Sequence, residues 1–330
     1  MTAASRDATA ATGEQSPLPL FRRFPALARL PRAPLGHFPT PVVRADALAL
    51  NLWIKREDLA GDPLGGNKVR SLEFLLGGVR AGDSVVTVGA LGSTHVLATA
   101  TYARKLGARP ILYRWPQEMN DAAARATHRI EAGGPAPRSR SIVGAYVRAV
   151  LARLRGARWI AAGGSSPLGV LGQVNAALEL AQQVEAGLVP PPRRIVVPLG
   201  SGGTAAGLAL GAHIAGLDTE IVGVRVVPRV VANVRRVRRL ASRTARLISR
   251  VAGEKVTPPD AGRIRVVHDF YGGAYGRESA VAAAAQDRCA RTVGLVVDAT
   301  YSAKALAAAL AVAGPGHGAT LFWLTFDGRS

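Results

Sequence analysis

Two short stretches carry residue types that could do chemistry. The first is GGNKVR at 65–70. Lys and Arg total 42 in this chain, yet lysine occurs only at 55, 68, 105, 255 and 304. Arginine keeps its proton inside a protein, whereas lysine can give it up and act as nucleophile or base. The second is IVVPLGSGGTAAGL at 195–208, where a β-branched run passes into Gly200, Ser201, Gly202, Gly203 and Thr204 and then an alanine-rich segment. Glycines there let backbone N–H groups converge, and a helix start adds about half a positive charge. Ser201 and Thr204 supply hydroxyl donors. A phosphate is the natural guest.

A nucleotide-hydrolysing loop needs Gly-Lys-Ser/Thr, which is absent. The run G-S-G-G-T-A formally satisfies the G-x-G-x-x-A of dinucleotide sites. Its next strand, EIVGVRVV, runs into Pro228 and Arg229 rather than an acid that could hold a ribose, and that reading leaves Lys68 idle. One phosphate plus one amine able to form an imine matches pyridoxal 5'-phosphate. A helix beginning just after Lys68 should depress its ammonium pKa and favour the neutral nucleophile. The histidines, at 37, 95, 128, 213, 268 and 317, show no metal-ligand spacing, and no Ser-His-Asp order suggests a hydrolase.

These residues need a frame, and the pattern supplies one. Strands are expected at LALNLWIKRED, DSVVTVGA, RPILYRW, ARWIAAGG, RRIVVPLG, TEIVGVRVV, GRIRVVHDF, GLVVDA and ATLFWLTF. Helices are expected after GGNK, after LGST, within 117–156 around a loop at GGPAPRSRS, after SSP, after SGG, over 278–292 and at YSAKALAAALAVAG. Alternating strands and helices imply an α/β protein with parallel sheets covered on both faces. The length suits two such layers with a cleft between them, where ligands sit at the carboxyl ends of strands. Residues 1–25 read as a disordered leader without the apolar core of a signal peptide. The proline-rich stretch at 21–43 is expected to wrap a surface without forming a helix.

Composition narrows the class further. Hydrophobic residues make up 48%, and no apolar run is long enough to span a bilayer. The single Cys289 excludes an internal disulfide or a cysteine-cluster metal site and fits a reducing cytoplasm. The net charge of +20 is densest at RVVANVRRVRRLASRTARLISR, 229–250, with eight arginines and no acid. Val234, Val237, Ala241, Leu247 and Ile248 form a helical stripe there, leaving the arginines outward on a solvated face. No aromatic residue interleaves them to stack on bases, so specific nucleic-acid binding is not expected, although polyanions should associate at low salt.

The segment LWIKREDLAGDPLGGNKVRSLEFLL resembles the lysine segment of the ACC deaminase/D-cysteine desulfhydrase family, within the tryptophan-synthase-β-like (fold type II) pyridoxal-phosphate enzymes. The resemblance runs from FPTPV to LTFDG. It takes in GALGSTHVLATATYARKLGA, AAGGSSPLGVLGQVNAALELAQQ, GSGGTAAGL, DFYGGAYG and VDATYSAKAL in one order. It implies two mainly parallel sheets flanked by helices: a large cofactor domain over 26–75 and 180–330, and a small domain, 76–179, inserted in it. By the same resemblance the protein is a homodimer acting on a small amino acid. Lys68 would bond to the cofactor aldehyde and then move protons, with Asn67 beside it and Gly200 to Thr204 on the phosphate. Ser93, Tyr275 and Tyr301 would face the substrate.

Four positions depart from the family pattern. Thr94 replaces an asparagine expected to reach the cofactor's phenolic oxygen. Ser165-Ser166 stands where the family has Ser-Asn. Ser302 stands where ACC deaminases carry glutamate and desulfhydrases threonine, as a hydroxyl near the pyridine nitrogen. Thr325-Phe326-Asp327 replaces Thr-Gly-Gly, with Thr325 at the cofactor and Phe326 narrowing the pocket. Ser302 leans the expectation toward a desulfhydrase-like α,β-elimination over ACC ring opening. Thr94 and the altered Thr-Gly-Gly also admit a cofactor-binding homologue with weak or lost catalysis.

Overall fold

The structure is a computed structural model and describes residues 17–326. In chain order its strands are β1 (Val42–Arg44), β2 (Leu52–Arg56), β3 (Ser84–Ala90), β4 (Arg109–Trp115), β5 (Arg158–Ile160), β6 (Arg194–Leu199), β7 (Glu220–Arg225), β8 (Ile264–Val267) and β9 (Thr320–Leu324). Its helices are α1 (Pro19–Arg23), α2 (Lys68–Leu75), α3 (Thr94–Lys105), α4 (Asp121–Ala132), α5 (Ile142–Leu154), α6 (Pro167–Glu185), α7 (Gly203–Ile214), α8 (Val234–Ala252), α9 (Ala280–Val293) and α10 (Ser302–Val312).

Two sheets result. The larger runs β1-β2-β9-β6-β7-β8 and is parallel except for β1, which pairs antiparallel with β2. The smaller, β4-β3-β5, is parallel throughout. Strands buried on both faces read as unbroken apolar runs, and β6 (RIVVPL) and β9 (TLFWL) are buried almost end to end. Pairing of β6 with β9 stops at Val196, while pairing with β7 continues to Leu199. The sheet therefore opens on one side of Pro198, a position suited to a residue that cannot donate to a ladder.

Side-chain caps fix several helix starts. Ser166 caps α6 ahead of Pro167, Asn120 caps α4, and Asn233 caps α8 through Oδ1 to the Arg236 N–H at 2.9 Å. On α8, Val237, Leu240, Ala241, Thr244, Ala245 and Ile248 are buried and the arginines stand exposed, as the apolar stripe requires. Among the described residues no helix is long and apolar enough to cross a membrane.

Several expectations differ from the structure. Residues 17–25 are not a disordered leader: Leu18, Leu20 and Phe24 are buried in the larger core, and the Leu20 N–H donates to Asn175 Oδ1 on α6 at 3.0 Å. Residues 1–16 lie outside the described part. The proline-rich stretch does hold helix, α1 and a 3-10 turn over Pro25–Arg29, because each proline sits in the first turn, where its missing N–H has no partner to lose. GLVVDA, 294–299, is no strand: Val297 packs into the core, and Asp298 then turns to cap α10. Residue 179, the expected end of the small domain, lies inside α6, whose Val170, Leu171, Val174 and Leu178 belong to the larger core.

Candidate active site

A cavity of about 470 Å³ opens between the two sheets at the carboxyl ends of β3, β4 and β6. Lys68, Asn67, Ser93, Thr94, Tyr275 and Tyr301 line it, together with the whole run Gly200 to Thr204 and with Thr325 and Phe326. Of the sequence-derived site residues, Ser302 alone is not on its wall.

Lys68 is the first residue of α2, and its Nζ donates to Asn67 Oδ1 at 3.2 Å. Burial lowers its ammonium to about 8. The depression expected from the helix start thus has a different cause, desolvation of the charged form. Gly66, just before, has φ 117° and lies so near Thr325 that a Cβ would come within 2.9 Å of its carbonyl oxygen. The Asn67 N–H donates to that carbonyl at 2.9 Å. Asn67 Nδ2 donates to Thr204 Oγ1 at 2.7 Å, which links the lysine turn to the glycine loop.

That loop enters α7 through Gly202, with φ 92°. A Cβ at Gly200 would meet nothing within 4 Å, whereas one at Gly203 would come within 2.7 Å of Ser165 Oγ. Ser165 and Ser201 share a hydrogen bond at 2.6 Å, and Ser166 caps α6. Arg236 Nε donates to the Ser201 carbonyl at 3.0 Å, bringing a cation to the rim. An open glycine-walled turn at the positive end of a twelve-residue helix fits one phosphate, and Lys68 supplies an amine in the same cavity. The residues present therefore fit pyridoxal phosphate.

Ser93 does two jobs: it caps α3, accepting the Val96 N–H on Oγ at 3.4 Å, and it faces the cavity. Behind Thr94, His95 Nε2 meets Thr87 Oγ1 at 3.0 Å, and Thr87 donates its own proton to the Ile160 carbonyl at 2.9 Å. The ring must then carry its proton on Nε2, leaving Nδ1 a buried acceptor without a partner. Burial and the nearby Lys68 lower His95 to about 3, so it is neutral.

Tyr275 and Tyr301 touch through their hydroxyls, with rings 5.9 Å apart and edge to face. Burial pushes Tyr301 up to about 12 and, with Tyr301 beside it, raises Tyr275 well above the usual phenol. Both stay protonated at neutral pH. Asp298 carries the start of α10, its carboxylate accepting the Tyr301 N–H at 2.7 Å and the Ser302 N–H at 3.0 Å. Ser302 Oγ is buried beside the Asp298 carboxylate. Its place beside Tyr301, one step behind the cavity wall, comes from being the first residue of α10. Phe326 is buried and on the wall, as expected. Asp327 lies outside the described residues.

Asp298, Asn120 and the Glu118–Arg277 pair escaped the sequence reading. Asp298 stands inside VDATYSAKAL and is a cap separated from its helix by three residues, so only the helix boundary could have signalled it. Asn120 precedes an alanine-rich run, the usual mark of a helix cap and nothing more.

A family model described as "Pyridoxal-phosphate dependent enzyme" matches residues 33–325. Nocardicin C-9' epimerase of Nocardia uniformis subsp. tsuyamanensis is 35% identical, over 92% of this chain and 94% of that protein. D-cysteine desulfhydrase of Klebsiella pneumoniae (strain 342) is 32% identical, over 85% and 88%. A solved ACC deaminase homologue superposes with a TM-score of 0.77 at 29% identity, covering 94% of this chain and 95% of that one.

Proposed function

The chain belongs to the pyridoxal-phosphate-dependent enzymes, and from that membership we propose that it carries out a D-cysteine-desulfhydrase-like α,β-elimination on a small amino acid. It is a fold type II enzyme of the deaminase and desulfhydrase group, dependent on pyridoxal 5'-phosphate. The observation that carries the finer reading is one cavity holding a lysine lowered to about 8, a glycine cradle and a protonated tyrosine pair.

Bound, the cofactor supplies an electron sink for charge left on the substrate α-carbon. Lys68 is the group that would hold it and, once freed, take the α-proton, since an amine near 8 is an effective base at neutral pH. Gly200 to Thr204 would grip the phosphate, with Asn67 keeping Thr204 in register. Ser93 and the start of α3 would receive the substrate carboxylate, because a helix N-terminus with a free hydroxyl favours an anion. The Tyr275–Tyr301 pair would offer a proton to the departing thiolate. The products are the thiol, a keto acid and ammonia, with one water consumed. Thr94, shorter than asparagine, would make a shorter contact to the cofactor's phenolic oxygen or none. Ser302, a hydroxyl where ACC deaminases carry glutamate, leans this reading toward elimination over ACC ring opening. A homodimer in the cytoplasm is part of the same proposal, on the family pattern.

The test is a panel of D-cysteine, D-serine, β-chloro-D-alanine and ACC assayed for keto-acid release, with Lys68→Ala as control. Release from D-cysteine that Lys68→Ala abolishes is expected. Cofactor-loaded protein that releases keto acid from none of them refutes elimination and ring opening together. A second reading, epimerisation at the α-carbon, is favoured by the relative at 35% identity. It needs only proton removal and return, and solvent deuterium entering the α-carbon without loss of the amine would identify it.

A further inference from the structure

The tyrosine pair depends on a residue of the smaller sheet's layer. Asn120 follows β4 and caps α4, its Oδ1 accepting the Ala123 N–H at 2.8 Å. Its Nδ2 donates to the Gly276 carbonyl at 2.8 Å and to Thr300 Oγ1 at 3.0 Å. Gly276 follows Tyr275, and Thr300 precedes Tyr301. One amide therefore spends both its protons on the two backbone segments that carry the two tyrosines.

The neighbourhood is built around the same seam. Glu118 receives Arg277 at 3.0 and 2.5 Å in a two-pronged ion pair. Gly276, with φ 87°, lies so close to the 118 carbonyl that a Cβ would sit 2.6 Å from it. Both contacts join the segment after β4 to the segment around Tyr275. Exposed pairs such as Glu118–Arg277 are weak holders, so the half-buried amide is the specific one.

We propose that Asn120 is a positioning residue that holds Tyr275 and Tyr301 in hydroxyl contact. This rests on the proposed role of those tyrosines as proton donors at the cavity. The two phenols come from segments 26 residues apart, and the Asn120 amide is bonded to both segments. Asn120 pins them from the opposite layer, so the pair is assembled when the two layers are docked.

Asn120→Asp separates this role from the helix cap. The carboxylate still accepts the Ala123 N–H and suits a helix start, but both donated hydrogen bonds disappear. Thr300→Val removes one of them from the other side. In the holoenzyme, Asn120→Asp should lower kcat by up to about a hundredfold, the loss a small misplacement of reacting groups brings. KM and the cofactor titration followed by absorbance should stay near wild type. Tryptic cleavage after Arg277 in the folded protein, located by mass spectrometry, should become about tenfold faster, as expected when a local opening loses one or two hydrogen bonds. Thr300→Val should move both readouts the same way by less. Wild-type cleavage in Asn120→Asp overturns the proposal, even with kcat reduced, because the segments would then be held without it. Faster cleavage with unchanged kcat also overturns it. If wild-type protein takes up no cofactor, the functional reading fails, and cleavage still reports whether Asn120 holds the segments.

Discussion

Asn67 Nδ2 donates to Thr204 Oγ1 at 2.7 Å, joining the first turn of α2 to the first turn of α7. The same side chain accepts from Lys68 Nζ, and the Asn67 backbone carbonyl accepts from Gln173 Nε2 at 2.7 Å. Asn67 therefore links the Lys68 amine to the glycine loop. Asn67→Ala strands a buried hydroxyl and should cost about 1–3 kcal/mol of stability. Cofactor affinity should fall about tenfold, near 1.4 kcal/mol. Urea unfolding and an absorbance titration read the two effects, and wild-type values in both would show that the link is incidental.

Lys68 makes the apoprotein's stability depend on pH. Unfolded, its amine holds a proton up to about 10.5; folded, it releases it near 8. Between those values the unfolded chain binds more protons, so this group lets stability rise with pH across that window. Its cost is fully present below pH 8. Lys68→Met should thus stabilise the apoprotein at pH 7 and lose most of that advantage by pH 10.5. A stability gap that stays constant over the window counts against a depressed amine.

Two glycines near the cavity should respond oppositely to alanine. At Gly200 a methyl meets no atom of the described residues within 4 Å, so Gly200→Ala should fold with wild-type stability. That methyl occupies cavity wall facing the expected phosphate, and cofactor affinity should drop at least about tenfold. At Gly66 the φ of 117° and the 2.9 Å approach to the Thr325 carbonyl leave no room, and Gly66→Ala should be destabilised by about 1–3 kcal/mol. Equal stability for the two variants would contradict the backbone geometry. Unchanged cofactor affinity in Gly200→Ala would move the phosphate elsewhere.

Much of this was legible in the residues. The scarcity of lysine singled out Lys68, and a β-branched strand running into glycines singled out the loop at Gly200 to Thr204. Both signals are local, and the structure brings them into one cavity. The alternation of strands and helices foretold two layered sheets because it is set by burial on both faces. What escaped was set by tertiary partners. Leu20 and Phe24 look like a leader until α6 is there to cover them. GLVVDA has strand composition but serves Asp298 as a cap. Ser302 is adjacent to a wall residue in sequence, yet α10 turns its hydroxyl inward to a place that only coordinates reveal. The lowered pKa of Lys68 was foreseen from the helix start, whereas its burial is invisible in such a pattern.

The buried network behind Lys68 sets the last expectation. Arg70, two residues along α2, donates to both oxygens of Glu57 at 2.6 and 2.8 Å and to both of Glu179 at 2.9 Å. Lys55 Nζ completes Glu179 at 2.6 Å. All four side chains are almost wholly removed from solvent. Removing one member of such a set costs about 3–5 kcal/mol, because the remaining charges stay buried without compensation. Arg70→Met should lose that in full through Glu57, which has no other cation in contact among the described residues, while Glu179 keeps Lys55. Pairing it with Glu57→Gln should recover part of the loss, as coupled neighbours are not additive. Since α2 also carries Lys68, the single variant should lose cofactor affinity along with stability, and the double variant should regain both together. Denaturant unfolding with a parallel absorbance titration checks this. A double variant no more stable than the single one would mean that Glu57 is not the stranded charge.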